Sequence, residues 1–247
     1  FRLNDNGLVQ TVTGETLQGQ KITNGTVSST VESIDLAGAQ SSPEATTSFT
    51  LGANLDASSS ATTTFNSPVS IYNSVGTQVT ASIQFSKVTA ANSWTYNIST
   101  SEGTLTSGAS GTVSFDSSGN LSSPTTDPSI IIDYSASSSP ALTQTLSWDL
   151  VNSSGTTNGK LTGFAAASNN NSLVQDGFST GTLVGLTTDS TGIISGLFNN
   201  GQTDKLFQVT LGDFLSPTGL QRAGSDLFSE TADSGQVVLG TAGTGGF

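Results

Sequence analysis

Val79, Ala81, Ile83 and Phe85 alternate with Thr80, Ser82 and Gln84, and this period of two recurs along the chain. Val69 and Ile71 alternate with Ser70 and Tyr72, and Trp94, Tyr96 and Ile98 alternate with Thr95 and Asn97. Leu146, Trp148 and Leu150 alternate with Ser147 and Asp149, and Phe207, Val209 and Leu211 with Gln208 and Thr210. Successive side chains of an extended backbone point to opposite faces, so each segment is a strand with one apolar and one polar face. The run Ile130-Ile131-Ile132 does not alternate and predicts a strand buried on both faces. The expected fold class is all-β, without an amphipathic helix. Only short helical turns are expected, near 219–224 or within 172–178.

Turn chemistry separates these strands. Asn-Ser-Val-Gly at 73–76 lies between two alternating runs, and Asp-Ser-Ser-Gly-Asn at 116–120 follows the strand 112–115. Asp-Ser-Thr-Gly at 189–192 sits between 183–186 and 193–198. Gly and Asn tolerate positive φ, and Asp or Ser closes its own turn. Hairpins at this spacing predict sandwich-like or barrel-like β-domains. A chain of 247 residues holds one large domain of this kind or two ordinary ones. Two stretches of low hydrophobicity, 56–63 and 165–172, read as connectors around a central block of domain size. The simplest topology is an insertion, with 1–57 plus 168–247 as one β-domain and 58–167 as a second inserted into it.

Hydrophobic residues make up 33% of the chain, below the usual globular share, but charged residues are only 10%. Disorder brings denser charge, so the Ser, Thr, Asn and Gly fill the polar faces and turns of folded β-structure. The net charge is −12, from 18 acidic and 6 basic residues, with no basic stripe. Nucleic acid and anionic membrane surfaces are therefore not expected partners. There is no Cys, which excludes a disulfide framework, thiol catalysis and Cys-based zinc sites. No apolar run reaches about 18 residues, and no signal peptide is expected. The start at Phe1 and the end at Gly245-Gly246-Phe247 suggest a fragment.

With neither His nor Cys, the usual nucleophile–base pairs are missing. No Gly-x-Ser-x-Gly elbow or phosphate-cradling loop occurs. Carboxylates remain. Asp133 and Asp149, flanked by Tyr134 and Trp148, are the candidate pair for glycoside chemistry, which needs two carboxyl groups about 5–10 Å apart. Asp149 is, however, already accounted for as the outward residue of an alternating strand. Asp5-Asn6-Gly7, Asp116-Ser-Ser-Gly-Asn and Asp189-Ser-Thr-Gly are candidate calcium loops. None has the alternating acids and distal Glu of such a loop, and each fits an Asx or hairpin turn. Sequons at Asn24, Asn97, Asn120 and Asn152 recur by chance in a chain so rich in Ser and Thr. The expectation is a non-enzyme with no catalytic, cofactor-binding or metal-ligating residues and no cofactor. A secreted adhesin or carbohydrate-binding module would have to expose Trp94, Trp148 and Tyr134 as an aromatic platform, and burial of both tryptophans defeats that reading.

The C-terminal third carries an ordered string of motifs. It runs from Gly181-Thr-Leu-Val-Gly-Leu to Asp189-Ser-Thr-Gly-Ile-Ile-Ser-Gly-Leu-Phe-Asn-Asn-Gly201, then Phe207-Gln-Val-Thr-Leu-Gly-Asp-Phe214 and Pro217-Thr-Gly-Leu220. Gly224-Ser-Asp-Leu-Phe228, Glu230-Thr-Ala-Asp-Ser-Gly235 and Gly240-Thr-Ala-Gly-Thr-Gly-Gly follow. This string resembles the C-terminal region shared by bacterial flagellar hook and rod proteins, with Phe207 where Gly is usual and Ser216 where Asn is usual. The N-terminal Phe1-Arg-Leu-Asn-Asp-Asn-Gly-Leu-Val-Gln, with Gly14 and Leu17-Gln-Gly19, resembles the same family. Ser67-Pro-Val-Ser-Ile-Tyr-Asn-Ser-Val-Gly76, Phe85-Ser-Lys87, Trp94-Thr-Tyr96 and 111–121 resemble the hook protein rather than its rod relatives, with Asn73 in place of the usual Asp. The resemblance implies a subunit of the flagellar hook, a short curved tube that joins rod to filament as a universal joint. It implies that the outer segments pair into an inner β-domain and the centre forms a peripheral one. It further implies extracellular location, export through the flagellar apparatus, and partners among neighbouring hook subunits and the rod, hook-cap and hook–filament junction proteins. The resemblance also implies a fragment without the family's terminal helical segments, so a largely monomeric chain is expected.

Overall fold

The computed structural model describes residues 1–89, 92–137 and 140–243, so the last three residues of the 240–246 motif and the chain's end lie outside the described residues. Among the described residues there is no α-helix, and the only helical turn is a 3-10 turn at Pro217–Gly219. The chain is all-β. Its first part contributes β1 (Arg2–Leu3), β2 (Val9–Gln10), β3 (Gln18–Thr23), β4 (Thr26–Ser33) and β5 (Gln40–Ser41). The middle contributes β6 (Ser48–Asn54), β7 (Thr64–Tyr72), β8 (Gln78–Lys87), β9 (Ser93–Thr100), β10 (Thr104–Ser107) and β11 (Ser110–Phe115). It continues with β12 (Leu121–Ser123), β13 (Ser129–Asp133), β14 (Gln144–Trp148), β15 (Leu161–Thr162) and β16 (Asn169–Gln175). The last part contributes β17 (Gly181–Thr188), β18 (Ile193–Phe198), β19 (Thr203–Val209), β20 (Leu211–Asp213), β21 (Gln221–Gly224), β22 (Leu227–Ser229) and β23 (Val238–Gly240).

The chain divides into two compact units, one made of Phe1–Ser41 and Gly181–Phe247, the other of Ser42–Thr180. These limits fall some fifteen residues outside the expected inserted block of 58–167, and the reason is the pairing of β6 with β16 from Gln175↔Phe49 to Asn169↔Asn54. Phe49, Leu51 and Ala53 of β6 are buried in the core of the second unit, which carries both strands with it. The stretches 56–63 and 165–172 are therefore not connectors between units. In the first, Ser58 N–H donates to Asp56 Oδ1 at 2.8 Å and Thr62 N–H to the Lys87 carbonyl at 2.9 Å. The second runs into β16, which also replaces the helical turn expected within 172–178.

The second unit contains a five-stranded sheet, β12-β11-β9-β8-β7, and a six-stranded sheet, β10-β13-β14-β6-β15 with β16 on the other side of β6. Alternation places Val79, Ala81, Ile83 and Phe85 inward from β8, and Trp94, Tyr96 and Ile98 inward from β9. Trp148 is the hub of the core. Its ring lies 5.9 Å from Phe49, 6.0 Å from Phe85 and 5.2 Å from Tyr96, the last two edge-on. The strand at Ile130–Ile132 departs from expectation, because Ile130 and Ile132 are buried while Ile131 between them is partly exposed. It alternates after all, and its neighbours β10 and β14 pair with it on either side within the sheet.

The first unit is built on the antiparallel sheet β4-β3-β19-β18-β17-β5. Val9, Ile34, Leu36, Ile194 and Phe207 form its small core, with Leu17, Leu183, Leu206 and Val209 packed beside them. Gly19 is required where β3 crosses β19, since a Cβ there would lie 2.7 Å from the Gln208 carbonyl oxygen. The pairs β20-β23 and β21-β22 form two further ribbons.

Candidate functional site

The candidate calcium loops are turns of one kind. In Asp116-Ser-Ser-Gly-Asn, Asp116 Oδ1 accepts the N–H of Ser118 at 2.8 Å and of Asn120 at 2.9 Å. Asp189 Oδ1 does the same with Thr191 at 2.9 Å and Ile193 at 3.0 Å. Gly119 (φ 81°) and Gly192 (φ 76°) occupy the fourth position in the left-handed region, which an L side chain rarely enters. Asn73 and Asn152 build the same turn with their amide oxygens. Near the N-terminus the acceptor is Asn4, bonded by Asn6 and Leu8, rather than the neighbouring Asp5. The inward oxygen of each side chain is thus committed to its own backbone. These bonds hold the carboxyls of Asp116 and Asp189 below the usual aspartate range, the Asn120 N–H leading at Asp116 and the Thr191 hydroxyl at Asp189. Among the described residues no three His, Cys, Asp or Glu side chains gather to hold a metal ion.

The candidate glycosidase carboxylates have local partners. Asp149 Oδ2 accepts the Thr50 hydroxyl at 2.7 Å, and Asp133 Oδ1 accepts the Ser135 N–H at 2.9 Å. Trp94, Trp148 and Tyr134 are fully buried, so they form core and not the exposed platform that sugar stacking requires. A cleft lined by Ala57, Asn92, Phe115, Asp116, Gly163 and Phe164 brings no second carboxylate to Asp116. None of these arrangements carries a nucleophile beside a base.

Polar residues not singled out by the sequence motifs close the second unit on itself. Gln144 is buried, and its Nε2 donates to the carbonyls of Thr46 at 2.7 Å and Tyr72 at 2.9 Å. Its Oε1 accepts the Tyr134 hydroxyl at 2.9 Å, and burial, aided by the Glu102 charge, pushes that phenol up to about 12. Glu44 and Phe178 exchange two backbone bonds of 3.0 and 2.9 Å, which ties the start of this unit to its end. Asp176 reinforces the tie by accepting the N–H groups of Thr47 at 2.8 Å and Ser48 at 3.1 Å and the Thr47 hydroxyl at 2.5 Å. Desolvation raises the Asp176 carboxyl, but these bonds outweigh it and leave it lowered. In the first unit, Ser41 Oγ accepts from Gly181 N–H at 3.0 Å and is 2.8 Å from Asn200 Nδ2. Each unit is therefore fastened where the chain leaves it, through residues distant in sequence, and such contacts leave no local signature.

The model of one protein family, described as the flagellar basal body protein FlaE D2 domain, matches residues 40–178. The flagellar hook protein FlgE of Helicobacter pylori (strain 26695) is 41% identical over 93 residues, covering 38% of this chain and 13% of that protein. The flagellar hook protein FlgE of Escherichia coli K12 is 30% identical over 180 residues, covering 72% of this chain and 42% of that protein. The match thus spans less than half the length of either relative. A solved structure, that of Helicobacter pylori flagellar hook protein FlgE2, aligns over 97% of this chain and 86% of its own with a TM-score of 0.52 at 12% identity, a likeness of fold.

Proposed function

This chain belongs to the FlaE D2 family of flagellar basal body and hook proteins, and from that premise we propose that it is the β-rich portion of a structural subunit of the bacterial flagellar hook. The observation that carries the reading is a coincidence of limits: the family match, 40–178, falls on the compact unit Ser42–Thr180 almost residue for residue. In this reading the first unit is the inner domain of the subunit and the second is the outer domain inserted into it. The subunit leaves the cell through the flagellar export apparatus, assembles with copies of itself outside the cell, and meets the rod, the hook cap and the hook–filament junction proteins at the ends of the tube. It carries no catalytic role.

A rotating curved tube requires each line of subunits to lengthen and shorten once per turn. Two β-units that each close on themselves, with the chain passing from one to the other at 41–42 and 180–181, can shift as rigid bodies. Deleting the gene from a flagellated source tests the assignment. The expected result is loss of the curved segment seen by electron microscopy of purified flagellar bases, restored by the full-length gene. An unchanged curved segment in the deletion strain overturns it.

A further inference from the structure

On β7, β8, β9 and β11 every outward side chain is uncharged: Ser, Thr, Asn and Gln, with Pro68 and Tyr72 on β7. The one charged residue on these strands, Lys87, is buried, its Nζ 5.4 Å from the centre of the Trp94 ring. Every carboxylate of the second unit lies off these four strands, in a chain of net charge −12. Register aligns the outward residues into rows across the sheet. Asn66 faces Gln84, Gln84 faces Asn97, and Asn97 faces Ser110. All four are exposed. Among the described residues the three amides of this row make no side-chain hydrogen bond within the chain. Beside it runs the row Thr64, Ser86, Thr95 and Thr112.

Two copies of so acidic a chain repel, and burying a carboxylate between them costs far more than burying an amide that finds a partner. An amide offers both donor and acceptor, so a row of amides and hydroxyls can bond to another polar surface directly or through water. We propose that this uncharged face is a docking surface for a second copy of the chain, and that it forms a wet, polar contact between neighbouring subunits of the polymer. This rests on the hook reading and adds to it which surface touches. Because the side chains within such a row repeat at the strand spacing of about 4.8 Å, the contact has alternative registers into which a bending tube can shift.

This chain has no cysteine, so the test uses single cysteines introduced into the full-length subunit, with any cysteine outside these 247 residues replaced by Ser. Asn97→Cys, Thr95→Cys on the same face and Ser153→Cys in an exposed turn are treated with a bulky maleimide, before and after assembly. The expected result is labelling of all three in the free subunit and loss of labelling at 95 and 97, but not 153, in the assembled tube. A short bis-maleimide on Asn97→Cys is expected to yield multiples of the subunit mass. Unchanged labelling at 95 and 97 in the tube overturns the proposal, as does cross-linking solely to a different protein. The double change Gln84→Glu and Asn97→Asp, which places like charges on this face, is expected to keep the monomer's tryptophan fluorescence and lose assembly. Normal assembly of that variant contradicts the proposal. If the unaltered subunit forms no tube at all, the hook reading itself fails.

Discussion

The two units solve the same problem with different means. The second surrounds Trp148 with Phe49, Phe85 and Tyr96 and buries Trp94, Tyr134 and a continuous set of aliphatic side chains. The first gathers Val9, Ile34, Leu36, Ile194 and Phe207 under one sheet, and it leaves Phe1, Val12, Val184, Leu215, Phe228 and Val238 exposed. Apolar area removed from water is the main source of folding free energy, so the second unit should stand on its own more firmly than the first.

Both tryptophans and all three tyrosines lie in the second unit, so intrinsic fluorescence reports that unit alone, while far-ultraviolet circular dichroism reports both. Trp148→Ala removes the hub and should cost about 3–5 kcal/mol. A matching fall in the urea midpoint followed by Trp94 fluorescence checks it, and a loss under about 1 kcal/mol would deny Trp148 that role. Phe207→Ala belongs to the thinner core and should cost about 3 kcal/mol. It should shift the dichroism transition and leave the fluorescence transition in place, and a shift of both would mean that the units unfold together. Gln144→Leu leaves the Tyr134 hydroxyl and the carbonyls of Thr46 and Tyr72 without their partner, at about 1–3 kcal/mol for each group so orphaned. Its signature is a lowered fluorescence midpoint with an unchanged m-value.

Lys87→Met should cost nothing and gain about 1 kcal/mol, because Lys87 Nζ is buried without a hydrogen-bond partner and burial lowers its pKa against the pull of Asp56. A clear loss of stability would show that the ammonium over Trp94 contributes more than its desolvation costs. The smallest effect lies at the exposed turns. The Asp116 and Asp189 carboxyls are lowered in the folded chain, so their contribution is fully present above the ordinary aspartate value of 3.8 and is lost as pH falls below it through the lowered folded values. Asp189→Asn keeps the acceptor oxygen and should flatten the acid limb of the first unit's stability, as read by dichroism melts between neutral and acid pH. An unchanged acid limb would place the titration elsewhere.

Much of this fold was legible because β-structure with one wet face writes its period directly into the sequence. The strands around Ile83, Tyr96 and Trp148 follow from alternation, and the hairpins at 73–76, 116–120 and 189–192 from the side chains that close them. The unit boundary was hidden because Asn169–Gln175 is an exposed edge strand, polar enough to read as a linker, whose partner Ser48–Asn54 is remote in sequence. Gln144 escaped notice for a related reason, since what it bonds is set by how strands come together and not by its neighbours. The uncharged face of the second unit could be seen as a pattern strand by strand, but its rows exist only once the register of four strands is known.

The central claim is that this chain is part of the flagellar hook. Immunogold electron microscopy of intact source cells, with antibodies raised against the chain, tests it most directly. The account predicts gold confined to the short curved segment between cell body and filament. Gold along the filament or the cell surface, or none outside the cell, would contradict it.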